Sequence, residues 1–232
     1  MEKINEMNNA SSMGVDSKGK KWSDYETIKC PDGTIIDMPK LLNAQATAET
    51  SIRKVFPWLG NFVGKLRVIY TFKVQTQATD GYNLFVNPQF TNNLTHPQKV
   101  FVMLHEIMHC LLNHMRRGKG HDPRRSNIAA DYECNTTICE TGVFDEKFVK
   151  DLGGFVDVKK YRNKGYEWIY ENMPNESTDG NMSNQQGQKQ AQQNQQGQGG
   201  SSSQQDQKQK SADYKAGWKK ALDDYKKGKL KI

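Results

Sequence analysis

Thr95-His96-Pro97-Gln98-Lys99-Val100-Phe101-Val102-Met103-Leu104-His105-Glu106-Ile107-Met108-His109-Cys110-Leu111-Leu112 is the stretch on which the fold turns. Thr95 is a good helix N-cap, and Gln98 three positions later completes a capping box that satisfies the first free amides of a helix. Pro97 is tolerated in a first turn, where its missing N–H forfeits no hydrogen bond. At about 100° per residue, with His105 at zero, Val100, Phe101, Leu104, Ile107, Met108, Leu111, Leu112 and Met115 fall between roughly 200° and 340°. This single apolar stripe predicts an amphipathic helix. The helix is expected to reach Arg116 and Arg117, whose charges suit the negative end of its dipole, and to end at Gly118 and Gly120.

On that helix His105 and His109 are one turn apart and project from the same side, at the edge of the stripe. Two imidazoles so spaced can reach one tetrahedral ion, which makes Zn2+ the expected cofactor. Glu106 stands about 60° from His109, within reach of a water on such an ion. The H-E-x-x-H pattern therefore brings together two ligands and a carboxylate able to take the water's proton and hand it to a leaving amine.

A catalytic zinc needs a third protein ligand and an open position. His114 lies near 180° on the same helix and faces away unless the helix breaks before it. The longer pattern with Gly and a third His also fails, because Leu112 and Met115 occupy those places. His121 sits in a glycine-rich loop and could swing in. Ser126 is read as the cap of a following helix, Asn127 to about Glu140, stopped by Gly142. On its wheel Asp131 shares the inward face with Cys134, Asn135 and Ile138, while Glu133 shares a face with Glu140 that reads as solvated. Ala129 and Ala130 allow close helix approach. Asp131 is the expected third ligand, with His121 and Cys134 as the alternatives.

Upstream, Met38 opens a helical period in which Leu41, Ala44, Ala48, Ile52, Val55 and Phe56 share a face, interrupted at Pro57. Leu66–Phe72 and Tyr82–Val86 read as strands, with Asp80-Gly81 as a tight turn before the second. Residues 1–37 are expected to be loosely structured, apart from a short hairpin around Pro31-Asp32-Gly33. Downstream, Tyr166–Met173 is expected to be a helix. From Asn175 to Ala212 there is no aromatic or branched aliphatic residue, so 175–212 is expected to be a disordered Gln/Gly/Ser-rich linker. Tyr214, Trp218, Leu222 and Tyr225 then sit at helical spacing in a short basic helix over 213–232, which could dock a protein partner.

Apolar residues make up only 35 % of the 232, which fits one domain, over 38–174, with polar flanks. No run approaches the 18–20 apolar residues, roughly, of a membrane span. Met1–Lys21 has no apolar segment, so no secretory leader and a cytoplasmic location are expected. Cys30, Cys110, Cys134 and Cys139 form no C-x-x-C pair and are expected to be free thiols. The formal charge of +7 is concentrated in Arg116, Arg117, Lys119, Arg124 and Arg125 and between Lys208 and Lys231. No nucleic-acid module accompanies these clusters, so they read as solvated surface and nucleic acid is not an expected partner. The Lys- and Asn-rich composition points to a phage or bacterial source.

The chain resembles the metallopeptidase domain commonly found ahead of a von Willebrand factor A-type domain in bacterial and phage proteins. The likeness runs from about Ile52 to Met173. It includes Phe56-Pro57-Trp58-Leu59-Gly60, Ala78-Thr79-Asp80-Gly81 and Val86-Asn87-Pro88, then His105 to His109 with His114 and Arg117. Asn127-Ile128-Ala129-Ala130-Asp131 and Glu167-Trp168-Ile169-Tyr170 complete it. The resemblance implies an α+β, zincin-like fold: a small sheet packed on the active-site helix and a second, ligand-bearing helix. It implies His105 and His109 as ligands, Glu106 as the catalytic group and Asp131 as third ligand. In zinc peptidases with this helix, a strand such as Tyr82–Val86 lies along the cleft and pairs with extended substrate. The A-type domain has no expected counterpart here, since the sequence stops soon after Trp218.

Two functions follow. The first is a zinc peptidase acting on a protein or peptide substrate. His114, Arg117, His121, Asn127 and Tyr132 are then candidates for supporting or substrate-contacting roles, and the second electrophile is open among Tyr132, His114, His121 and Arg117. The alternative is a zinc-containing adaptor without proteolytic activity, recruiting a partner through its linker and terminal helix. The intact Glu106 favours the first, because a purely structural zinc does not need it.

Overall fold

A computed structural model of the chain describes residues 20–174. The expected linker and terminal helix, and most of the N-terminal segment, lie outside the described residues. The N-terminal end of the described part is packed rather than loose. Trp22 is buried in a 3-10 turn (Trp22–Asp24), and β1 (Thr27–Lys29) pairs antiparallel with β2 (Ile35–Asp37), Ile28 opposite Ile36. Alternation explains the hairpin: Ile28 and Ile36 point into the core and their neighbours outward.

Helix α1 (Met38–Val55) starts at Asp37, whose Oδ1 accepts from the Lys40 amide at 2.9 Å, and Pro39 sits in its first turn. Its buried face of Leu41, Ala48, Ile52 and Val55 packs on the histidine helix. A 3-10 turn (Pro57–Leu59) and the short α2 (Gly60–Val63) lead into the sheet. The sheet has three strands in the order β3 (Arg67–Tyr70), β5 (Asn83–Val86), β4 (Gln77–Thr79). β3 and β5 are parallel, whereas β4 and β5 are antiparallel and joined through Asp80 and Gly81. Gly81 supplies the positive φ of that turn, and Asp80 Oδ1 accepts the Tyr82 and Asn83 amides.

α3 (Pro88–Asn93), capped by Asn87, precedes α4 (His96–Leu111). Gln98 Oε1 accepts from the Thr95 amide at 2.8 Å, so the expected capping residues start α4. Its end differs from expectation. α4 stops at Leu111, Asn113 adopts a left-handed conformation (φ 58°), and α5 (His114–Arg117) sets off in a new direction. Asparagine enters this conformation more readily than most residues with a β-carbon, so no glycine marks the break.

α6 (Pro123–Glu140) begins earlier than expected. Its cap is Asp122, which accepts the Arg125 amide at 2.8 Å, and Ser126 lies inside the first turns. α7 (Glu146–Asp151), α8 (Val158–Tyr161) and α9 (Tyr166–Asn172) complete the described chain. α6 is buried on two faces. Cys134 and Ile138 join the main core, while Ile128, Ala129 and Ala130 join a second cluster with Tyr161, Tyr166, Ile169 and Met173. The fold is thus α+β, as expected: a small sheet whose strand β4 packs on α4, with α6 against the same helix. None of the described helices is long and apolar enough to cross a membrane.

Candidate metal centre

α4 and α6 bring His105, His109 and Asp131 together, with His109 also lining a cleft. The Nε2 atoms of His105 and His109 lie 2.9 Å apart, and Asp131 Oδ1 is 3.3 Å from the first and 3.2 Å from the second. Ligands held at about 2.0–2.1 Å by a tetrahedral ion stand about 3.3 Å from one another, so this triangle has the size of one face of such a site. Asp131 Oδ1 is buried and has no well-aligned hydrogen bond, although two ring nitrogens adjoin it. A buried carboxylate oxygen left in that state calls for a cation.

The electrostatics agree. Burial works against the charge on Asp131, yet the His105 and His109 rings hold its carboxyl below the usual range. Burial also opposes a charged His105, but Asp131 outweighs it and pushes the imidazole up to about 9. The triangle therefore recruits a proton when no metal ion competes for it.

Asn135, one turn from Asp131, faces the same helix. Its Oδ1 lies 2.7 Å from His105 Nδ1, and its Nδ2 donates to the Phe155 carbonyl at 3.0 Å. Asn127 Nδ2 donates to Asp131 Oδ2 at 3.2 Å. Glu106 is buried, and burial pushes its carboxyl up to about 7.

Cys134 is the other ligand-type group nearby. Its thiol and ring nitrogens of His105 and His109 all lie within 4.8 Å of one another. Asp131 Oδ1 lies 3.3 and 3.2 Å from the two rings, and the Cys134 thiol also sits 3.7 Å from His114 Nδ1. His114 adjoins the Nδ1 edge of His109, whereas the triangle forms on the Nε2 edge. Asp131 and Cys134 thus both adjoin the two histidines, Asp131 at the Nε2 atoms and Cys134 also beside His114.

Two expectations are corrected. His114 does not face away, because the break at Asn113 turns it back, and its Nδ1 comes 3.0 Å from His109 Nδ1. Glu133 is not solvated: at 2 % exposure it meets His114 Nε2 at 2.8 Å and Arg117 Nη1 at 2.9 Å. A wheel of α6 alone cannot register partners that arrive on α5. Arg117 is further clamped by Glu167 of α9 at 2.8 and 2.7 Å.

The cleft measures about 290 Å³; Ala78, Thr79, Glu106, His109, His114 and His121 line it. The strand along it is β4, with Ala78 and Thr79, rather than the expected Tyr82–Val86. That strand, β5, is paired on both sides, whereas β4 is an edge strand among the described residues. β4 escaped the sequence reading because three residues, Gln77-Ala78-Thr79, carry no usable period. His121 stacks on Tyr170 at 4.2 Å, and its Nδ1 lies 2.8 Å from the Tyr166 hydroxyl. Tyr132 packs against Phe155 and Tyr161 and does not line the cleft.

The family comparison bears on this geometry. A family model described as "Putative metallopeptidase domain" matches residues 42–231, most of the chain. The chain belongs to that metallopeptidase-domain family. No curated protein and no solved structure matches it. Membership accords with a metal-dependent site on α4 and α6, and the match covers every side chain described at this centre.

Proposed function

We propose that this metallopeptidase-domain protein is a zinc peptidase in which His105, His109 and Asp131 hold the metal and Glu106 is the general base. The observation that carries the proposal is the triangle of 2.9, 3.2 and 3.3 Å, closed by a buried Asp131 oxygen with no well-aligned hydrogen bond. A bound zinc ion would lower the pKa of a water and polarise the scissile carbonyl. The chain's own groups supply the rest. Asn135 orients His105, and Asn127 holds the second oxygen of Asp131. Glu106, in the cleft beside His109, accepts the proton of the attacking water and returns it to the leaving amine nitrogen. Glu106 is buried beside His109, so its carboxylate stands next to the water that such a zinc would hold. The free edge of β4 along the cleft offers backbone groups to an extended peptide.

A second reading has one specific support. If Cys134 joined the other three, the site would be closed, as structural zinc sites are, and the protein would serve as an adaptor. A peptide-library digest separates the readings. Wild type is expected to cleave, and Glu106→Gln to keep about one zinc per chain while losing cleavage. Equal digestion patterns from the two proteins would exclude Glu106 as the base. His105→Ala and Asp131→Ala are expected to lose zinc, read by metal analysis; an Asp131→Ala protein with wild-type affinity would move the third ligand elsewhere.

A further inference from the structure

The buried polar groups behind His109 form a chain with a definite hydrogen-bond direction. It starts at Glu133, a carboxylate that can only accept, pinned by Arg117 Nη1 at 2.9 Å. His114 Nε2, 2.8 Å from the same Oε2 atom, must then be the donor. A neutral imidazole with its proton on Nε2 has a bare Nδ1, and that nitrogen lies 3.0 Å from His109 Nδ1. His109 therefore donates from Nδ1, which leaves the lone pair of its Nε2 directed at His105 and Asp131. His105 reaches the same state by another route. Asn135 Nδ2 is committed to the Phe155 carbonyl, so Asn135 Oδ1 accepts from His105 Nδ1.

We propose that Glu133 and His114 are positioning residues that lock His109 in its Nδ1–H tautomer and so make its Nε2 a stronger metal donor. This rests on the zinc centre proposed above. Arg117, gripped by both Glu133 and Glu167, fixes the carboxylate at the far end of the relay. The relay reads as functional because its parts are costly. A glutamate and a histidine are buried side by side, and a left-handed Asn113 is needed to bring the histidine back. Partners of this kind set ring orientation and ligand basicity, and their loss typically weakens metal binding about 10–100-fold.

The test uses the full chain loaded with Zn2+. Long-range 1H–15N correlation of the labelled histidines, assigned with single substitutions, is expected to show a proton on Nδ1 and none on Nε2 for His109, and the reverse for His114. A His109 protonated at Nε2, or a doubly protonated His114, overturns the proposal on the unmodified protein. Chelator competition then compares wild type with Glu133→Gln, which keeps size but loses charge, and with His114→Phe. Zinc affinity is expected to fall about tenfold in the first and up to about a hundredfold in the second. Should His114→Phe fail to fold, Glu133→Gln and the tautomer measurement decide. Affinities within twofold of a tightly binding wild type overturn the relay alone. A wild-type chain that takes up no Zn2+ overturns both the relay and the zinc centre.

Discussion

Glu106 is the residue at which stability and the proposed chemistry pull in opposite directions. Its folded carboxyl is raised from 4.5 to about 7 by burial, so between those pH values the folded state holds the proton more tightly than the unfolded chain. Stability conferred by the protonated form is complete below about 4.5 and is lost as pH rises through about 7. Glu106→Gln replaces the acid by a neutral isostere and escapes that loss. Without metal, the variant is expected to be more stable than wild type at pH 8 by about 1–3 kcal/mol, with the gap closing towards pH 4.5. Thermal melts with chelator across pH read this directly; a gap independent of pH would contradict the assignment of the shift to Glu106. Cys134 offers a second test at this scale. Cys134→Ala is expected to keep zinc affinity within twofold while losing about 1 kcal/mol of packing. A large loss of zinc would favour the closed-site reading.

Among the elements, the joint between α4 and α5 matters most. Asn113→Gly is expected to be tolerated, whereas Asn113→Val must force a β-branched residue into left-handed space, at a cost of about 1–2 kcal/mol. The valine variant is also expected to bind zinc more weakly, since His114 depends on the break; denaturant unfolding and chelator competition measure the two effects separately. This joint also marks how far the sequence could be read. The α4 stripe, its capping residues, the shared side of His105 and His109 and the inward face of Asp131 on α6 were legible because each depends on the residue's own helix. The return of His114 was not, because asparagine at position 113 fits a helix end and a helix interior alike. Glu133 was misread for a related reason: its partners Arg117 and His114 come from another element, and helical angles carry no information about neighbours. β4 and the brief α7 and α8 were too short to show a period.

At the scale of the whole molecule, the core extends ahead of α1. Trp22, at 3 % exposure, lies 6.1 Å from Tyr70 in edge-to-face contact and 5.5 Å from Tyr25. Trp22→Ala is expected to destabilise the fold by about 3–5 kcal/mol, as core tryptophans do, and urea midpoints would register it. A change below about 0.5 kcal/mol would mean that the hairpin is an appendage rather than part of the core. The crowding of two imidazoles and a carboxylate oxygen has a consequence of a different order. A ligand that binds only the folded chain raises its stability by mass action, about 2.7 kcal/mol when free metal stands a hundredfold above its dissociation constant. The melting temperature of this protein would then be a gauge of the metal supply around it. With zinc bound as proposed, a shortage of the metal would leave the protein not merely unloaded but more perishable, exposed to proteolysis as the bound fraction falls.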